Sequence, residues 1–245
     1  IRYRWIKGSG AKAGFNFFLR CLGHVMRGYP RRIFEEMWPQ AISADHKYEA
    51  WLERFDQPAT NKKVKDWIER FTYTPLISVI LPTYNSDLKF LSAAISSIES
   101  QSYSNWQLCI ADDGSSNGAL KKYLKTFKSN PRIDIKFRDT NGHISAASNS
   151  AIELVKGEFV AFLDHDDQLH PHALACLIGE LNKRPTYDLI YTDEDKINEW
   201  GYRSEPHFKP DWSPDLLLSQ NYVCHFAVYR AKIIREIGGL REGYE

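Results

Sequence analysis

The spacing of hydrophobic residues changes near residue 75, and the change predicts two kinds of structure. Before that point, apolar side chains recur every three to four residues in two stretches, as on one face of a helix. These residues are Tyr48, Trp51, Leu52 and Phe55, followed by Val64, Trp67, Ile68 and Phe71. We therefore predict a helical hairpin over residues 43–71.

From Pro75 onward, short β-branched runs alternate with helical stretches. The runs that predict strands are Leu76–Leu81, Trp106–Ala111, Ile133–Phe137, Phe159–Leu163 and Leu189–Thr192. Helices are predicted between them, at about 88–100, 119–127, 145–155 and 171–181. This succession indicates an α/β fold with a mostly parallel sheet and helices on both faces. A later apolar run, Asn221–Tyr229, predicts a further strand.

Polar and acidic turns follow four of these strands, where ligands bind in a sheet of this kind. The turns are Pro82–Asn85, Asp112–Ser115, Asp164–Asp167 and Asp193–Asp195. A single acidic turn is usually explained by turn chemistry and helix capping. Four of them would place several carboxylates along one sheet edge, which is unfavourable unless a cation or a hydrogen-bonded ligand compensates their repulsion.

The spacing of Asp164 and Asp166 favours a cation. One residue apart at the end of an apolar strand, they can turn toward the same opening. Carboxylate oxygens suit Mg²⁺ or Mn²⁺, which keep positions open for the oxygens of a diphosphate. Such an ion would neutralise the charge on a departing diphosphate. Asp113, on a neighbouring strand end, could accept the imide N–H of a uracil or thymine ring.

The charge of the chain is unevenly distributed. The 245 residues carry a net charge of only +1, which argues against a dedicated nucleic-acid binder. Residues 1–40, however, hold eight Lys and Arg and two Asp and Glu, interleaved with large apolar side chains. That mixture is typical of a segment on an anionic membrane surface. Alternatively, its aromatic residues pack on the main domain and its cations form the solvated face.

Other features of the sequence bear on its compartment. No run of 18 apolar residues is present, so no membrane span is predicted. Cys21, Cys109, Cys176 and Cys224 form no C-x-x-C pair, and we expect buried free thiols in a reducing, cytoplasmic compartment. Since the first residue is Ile1 rather than Met, we expect the sequence to be a piece of a longer protein.

Four motifs, in this order along the chain, resemble those of glycosyltransferase family 2. They are Ile77–Asn85, Ala111–Ser115, Asn141–Asn149 and Leu163–Asp167. Two later stretches, Tyr191–Lys196 and Pro206–Asp215, look like a bacterial subgroup that assembles surface polysaccharides such as O-antigen and capsule. The resemblance implies a Rossmann-like GT-A domain over residues 75–245. It would follow a helical N-terminal region over residues 1–74.

The resemblance also implies roles for individual residues on the donor side. Pro82, Thr83 and Tyr84 would line the nucleoside pocket, and Asp113 would hold the base. Asp164-His165-Asp166 matches the D-x-D motif, with Asp166 as the direct metal ligand and Asp164 nearer the ribose or a metal-bound water. Asp167 would cap the next helix. The remaining donor-side residues are His143, near the phosphates unless it makes only a structural hydrogen bond, and Asn149.

His225 completes the implied metal site. A histidine in an apolar strand is more often a core residue, but related enzymes have one near the metal and the diphosphate. The expected ligands of Mn²⁺ or Mg²⁺ are therefore Asp164, Asp166 and His225. On the acceptor side, the expected residues are Asp193, Glu194, Asp195 and Trp212.

The implied activity is an inverting, metal-dependent transfer of a sugar from a UDP- or dTDP-sugar to a bacterial polysaccharide or a lipid-linked glycan. The general base would belong to an acidic motif soon after residues 238–245, and we expect it beyond Glu245. Residues 1–40 would hold the enzyme on the inner face of the inner membrane.

Two other functions stay open from the sequence. A nucleotidyltransferase would use a similar sheet and metal site, but it usually has a glycine-rich basic loop where this chain has Asn85-Ser86-Asp87. The other is a non-catalytic domain that binds a nucleotide sugar or a polysaccharide within a larger assembly.

Overall fold

The computed structural model describes residues 44–56, 61–198 and 201–244. They form two compact units. The described part of the first, here called the N-terminal unit, comprises residues 44–56, 195–198 and 201–206; that of the second, the sheet unit, comprises residues 61–194 and 207–244. The basic segment 1–40 lies outside the described residues, so its membrane contact stays a prediction. Within the described residues, no helix has the length and apolar character that a membrane crossing requires.

The described residues contain a six-stranded sheet and a two-stranded one. The strands are β1 (Ile77–Thr83), β2 (Trp106–Asp112), β3 (Ile133–Phe137), β4 (Phe159–Phe162), β5 (Leu189–Tyr191), β6 (Glu194–Ile197), β7 (Arg203–His207) and β8 (Ala227–Arg230). The larger sheet has the order β3-β2-β1-β4-β8-β5, and β6 pairs with β7. Pairing is parallel from β3 to β4, whereas β8 runs antiparallel to both β4 and β5. The predicted mostly parallel sheet is confirmed.

Two of the helices that follow strands begin at side-chain caps. In chain order, the helices of the described residues are α1 (Ala44–Phe55), α2 (Asn61–Ile68), α3 (Leu88–Glu99), α4 (Gly118–Lys125), α5 (His143–Ile152), α6 (Ala173–Lys183), α7 (Pro214–Ser219) and α8 (Ala231–Glu236). Asp87 caps α3 by accepting the Lys89 N–H, and Asn117 caps α4 by accepting two backbone N–H groups. Both helices of the predicted hairpin exist, α1 in the N-terminal unit and α2 in the sheet unit. Their pairing and the domain boundary at 74/75 stay predictions.

Helices cover both faces of the large sheet because successive strand side chains point in opposite directions. On one face, Val79 and Leu108 belong to a core that includes residues of α3, α4 and α6. On the other face, Ile80 and Cys109 pack with Ala147 of α5. Every residue of β1 and β2 is buried, so these strands form the centre of the unit. The apolar runs in the sequence therefore predicted the core well.

The predicted strand over 221–229 is wrong over residues 221–226, since β8 begins only at Ala227. The carbonyl groups of Val223 and His225 accept hydrogen bonds from the Lys209 side chain instead of entering a strand ladder. His225 therefore lies in the loop before β8. The expectation of buried thiols is also wrong in part, because Cys109 is buried but Cys176 and Cys224 are exposed, whereas Cys21 lies outside the described residues.

Candidate functional site

A cavity of about 340 Å³ opens at the carboxyl ends of β1, β2 and β4. Its lining consists of Pro82, Thr83, Tyr84, Asp113, Asn141, His143, Ile144, Ala147, Asp164, His165 and Asp166. All the predicted donor-side residues except Asn149 are among them. Asn141, Ile144 and Ala147 were not predicted individually. All three belong to the motif over 141–149, which could have indicated them.

Asp113 is held in a fixed position at the edge of this cavity. Its carboxylate lies 2.7 Å from Nε of Arg138 and accepts the Gly142 N–H at 3.0 Å. The side chain is only 3% exposed, so these partners compensate the cost of burying its charge. Arg138 was not anticipated from the sequence. It also donates to the Ser150 hydroxyl at 2.7 Å, which anchors the guanidinium to α5.

The loops after β1 and β2 are tied together. Oδ1 of Asn85 accepts the backbone N–H groups of Ser116 and Asn117 at 3.0 and 3.1 Å, and the Asn85 N–H donates to Ser115 Oγ at 2.8 Å. Gly114 has φ +70°, and a Cβ there would lie 2.8 Å from the Thr140 carbonyl carbon. The turn that carries Asp113 therefore requires glycine at position 114.

Asp164, Asp167 and His225 form a cluster whose candidate ligand atoms all lie within 4.8 Å of one another. Two carboxylates and an imidazole form a donor set that suits a divalent transition-metal ion such as Mn²⁺. Asp166 is not in this group; its side chain is 59% exposed and lies 4.0 Å from Nδ1 of His165. Asp167, thought of as a helix cap, replaces it in the group that the structure brings together.

Charge interactions shift the titration of this cluster. The hydrogen bond between Nε2 of His225 and Oδ2 of Asp164, 2.9 Å long, raises the pKa of His225 to about 9. The same bond lowers the pKa of Asp164. Burial raises the pKa of Asp167. At neutral pH the imidazolium therefore compensates part of the negative charge of the two aspartates.

The carboxylate of Glu194, a residue expected on the acceptor side, contacts other side chains of the protein. Its carboxylate lies 3.1 Å from Nδ1 of His207, 3.4 Å from Nζ of Lys209 and 3.5 Å from Nδ1 of His225. Burial alone would raise the pKa of Glu194, but the hydrogen bond from His207 and the positive charges of Lys209 and His225 lower it. The structure thus places Glu194 beside the histidine of the cluster.

The other residues expected on the acceptor side differ in their surroundings. Asp193 accepts the backbone N–H of Lys209 at 2.7 Å, and Trp212 is 56% exposed. Asp195 belongs to the N-terminal unit, where it pairs with Arg203 and accepts the Tyr48 hydroxyl. Because these contacts use the Asp195 carboxylate, the structure gives its predicted acceptor role no support.

Asn149 lies outside the cavity lining and makes a different contact. Its Nδ2 donates to the Leu240 carbonyl at 2.9 Å, and its Oδ1 accepts the Leu240 N–H at 2.8 Å. The side chain thus pairs with the backbone of the C-terminal segment. Gly239 has φ +81°, and a Cβ there would lie 2.5 Å from Asn149 Oδ1. Asn149 thus fixes this segment, and its donor role stays a prediction.

Comparison with known proteins gives a family match that covers the sheet and its strand-end loops. The model of Glycosyl transferase family 2 matches residues 78–238. The chain is 37% identical over 199 residues to the O-antigen biosynthesis protein RfbC of Myxococcus xanthus. That alignment covers 81% of this chain and 16% of the relative, so the chain spans about a sixth of the relative's length.

Solved structures share the fold at low sequence identity. The TarS structure of S. aureus, in complex with UDP, aligns with a TM-score of 0.56 and 21% identity, over 68% of this chain and 50% of that one. The mannosyltransferase PcManGT of Pyrobaculum calidifontis, in complex with GDP-Man and Mn²⁺, aligns with a TM-score of 0.52 and 16% identity, over 75% of this chain and 54% of that one.

Proposed function

The chain belongs to glycosyltransferase family 2, and from that premise we propose that it moves a sugar from a nucleotide sugar to a hydroxyl of a bacterial polysaccharide or a lipid-linked glycan. The proposal rests on one observation. Asp164 belongs both to the cavity lining and to the cluster with Asp167 and His225. A pocket and a cation site that share a residue can hold a nucleoside and its diphosphate together.

We propose that the donor is a UDP- or dTDP-sugar. Pro82, Thr83 and Tyr84 line the cavity, and the half-exposed ring of Tyr84 offers a flat surface to a base. The carboxylate of Asp113, oriented by Arg138 and Gly142, has lone pairs left to accept the imide N–H of uracil or thymine. The TarS structure contains UDP, whereas the mannosyltransferase contains GDP-Man. The preference for a pyrimidine therefore rests on Asp113.

We propose that Asp164, Asp167 and His225 hold Mn²⁺ or Mg²⁺. The imidazole in the donor set favours Mn²⁺, since Mg²⁺ prefers oxygen ligands alone. A bound divalent ion neutralises charge on the departing diphosphate. The Mn²⁺ in the mannosyltransferase structure is in keeping with this assignment. Asp166 lines the same cavity and stays a predicted ligand.

The groups around the cavity suit an inverting transfer. The acceptor hydroxyl would attack the anomeric carbon opposite the diphosphate. The N terminus of α5 would stabilise the diphosphate by its partial positive charge, and His143 at that terminus would donate a hydrogen bond to it. Trp212 would offer its exposed ring to an acceptor sugar, with Asp193 nearby in the acceptor site. The base that takes the hydroxyl proton is proposed to lie beyond Glu245. Residues 1–40 are proposed to bind an anionic cytoplasmic membrane surface.

The proposal is tested by incubating the protein with Mn²⁺ and a panel of UDP-, dTDP- and GDP-sugars. Nucleoside diphosphate should be released from a UDP- or dTDP-sugar, and the release should stop in EDTA and in Asp113→Ala. Asp66→Ala, a substitution on the exposed surface of α2, is the matched control. Pyrophosphate formed from UTP and a sugar phosphate would instead indicate a nucleotidyltransferase. Because the base is proposed to lie beyond Glu245, release is measured on a protein that includes the residues after it, and binding of a nucleotide sugar without release by that protein would indicate the non-catalytic alternative.

A further inference from the structure

Lys209 carries a buried ammonium group in the loop that follows β7. Its side chain is 1% exposed. Nζ donates to the carbonyl of Val223 at 3.0 Å and to the carbonyl of His225, and it lies 3.4 Å from Oε2 of Glu194. An ammonium group has three N–H donors, and here three acceptors surround it. The sequence reasoning assigned no role to this lysine.

Such a position is costly unless the charge is fully paired, because burial removes the ammonium group from water. The pairing here joins two separate loops. The backbone N–H of Lys209 donates to Asp193 Oδ1 at 2.7 Å, so the residue binds the segment 193–194 through two contacts. Through its side chain it also binds the segment 223–225, which leads into β8.

One of the two joined segments contains His225, and the other contacts its ring. Oε2 of Glu194, the oxygen beside Lys209, forms an ion pair with Nδ1 of His225 at 3.5 Å, whereas Nε2 of the same ring is 2.9 Å from Asp164 Oδ2. Nδ1 also lies 3.3 Å from Sγ of the adjacent Cys224. The other Glu194 oxygen lies 3.1 Å from Nδ1 of His207. A histidine that binds a metal through one ring nitrogen almost always places the other against a carboxylate, a carbonyl or a water, and this contact fixes the ring.

We propose that Lys209 is a positioning residue for the metal site. It holds the His225 backbone and the Glu194 carboxylate together, so that Nε2 of His225 is directed toward Asp164 and Asp167. Glu194 is then the carboxylate partner of the histidine rather than a residue that contacts the acceptor sugar. This inference rests on the proposed function, because it requires that the Asp164–Asp167–His225 cluster binds a divalent cation.

The test compares Lys209→Met with Lys136→Met, a control in which an exposed lysine loses its surface pair with Glu153. Circular dichroism first establishes that each variant is folded, and calorimetry then measures its affinity for Mn²⁺. Lys209→Met should bind Mn²⁺ about ten to a hundred times more weakly than the wild type. Lys136→Met should match the wild type. In the metal-free proteins, the NMR signals of the His225 ring should move in Lys209→Met alone.

Glu194→Gln is the second variant, and it keeps the test decisive if Lys209→Met does not fold. It should also weaken Mn²⁺ binding and shift the signals of the His225 ring. A lysine with a purely structural role would lower the melting temperature and leave the Mn²⁺ affinity of the folded protein unchanged, which would overturn the inference. Failure of the wild type to bind Mn²⁺ would instead overturn the proposed function, and this inference with it.

Discussion

Nε2 of His225 lies 2.9 Å from Oδ2 of Asp164, a contact between the loop before β8 and the end of β4. In the metal-free protein this contact replaces some of the positive charge that a cation would supply. It raises the pKa of His225 to about 9 and lowers the pKa of Asp164. The acidity along this sheet edge is therefore balanced in part by the protein itself.

The first prediction concerns the titration of His225 in EDTA. Its ring should titrate near pH 9 by NMR, above its ordinary value of 6.5, and Asp164→Asn should return the midpoint toward 6.5. Because the folded state raises the pKa of His225 and lowers that of Asp164, the pair stabilises the protein fully between their ordinary pKa values of 6.5 and 3.8. This stabilisation is lost as the pH rises through about 9 and as it falls through the lowered pKa of Asp164. Asp166→Asn, outside the cluster, is the control. A wild-type midpoint near 6.5 would disprove the ion pair.

The second prediction separates Asp167 from Asp166. Because Asp167 belongs to the cluster and Asp166 is 59% exposed, Asp167→Asn should weaken Mn²⁺ binding more than Asp166→Asn does. Calorimetry with Mn²⁺ alone measures the difference. The opposite order would restore the ligand set expected from the D-x-D motif.

The third prediction concerns the turn that carries Asp113. Gly114→Ala should lower the free energy of unfolding by about 2–3 kcal/mol, because φ there is +70° and the new Cβ would meet the Thr140 backbone. Gly118→Ala, with open space around its Cβ at the start of α4, should be neutral or stabilise by up to about 1 kcal/mol. Urea unfolding compares the two variants. Equal effects would show that the turn tolerates a side chain at 114.

The fourth prediction concerns Asn149 and the segment it holds. Asn149→Ala leaves the Leu240 N–H and C=O without this partner and should cost about 1–3 kcal/mol of stability, while UDP affinity stays within about twofold of the wild type. Gly239→Ala should destabilise more than Gly238→Ala. Both positions have φ +81°, but only at 239 would a Cβ meet Asn149. A large loss of UDP affinity in Asn149→Ala would restore its donor role.

The sequence predicted those parts of the structure that depend on local patterns. Buried strands such as β1 and β2 have continuous apolar runs, and parallel pairing follows from their alternation with helices. Polar residues directly after such strands must lie at one sheet edge. Most of the predicted donor-side residues therefore line one cavity.

The remaining details depend on contacts between distant residues. In the turn after β4, no periodicity determines which of two neighbouring aspartates faces His225. Asp166 was expected from the D-x-D motif, whereas the structure brings Asp167 close to His225. The apolar run before β8 resembled a strand because the sequence does not show that Lys209 binds its carbonyl groups. Asn149 and Leu240 are 91 residues apart, and only the folded chain brings them together.

The central claim is that the cavity and the Asp164–Asp167–His225 cluster form one donor site, and calorimetry of UDP binding tests it most directly. The wild type should bind UDP in Mn²⁺ and lose most of that affinity in EDTA. Asp164→Asn should bind weakly under both conditions, while Asp66→Asn on the surface of α2 should behave as the wild type. UDP binding that is equally strong in Mn²⁺ and in EDTA, or that Asp164→Asn leaves unchanged, would contradict the account.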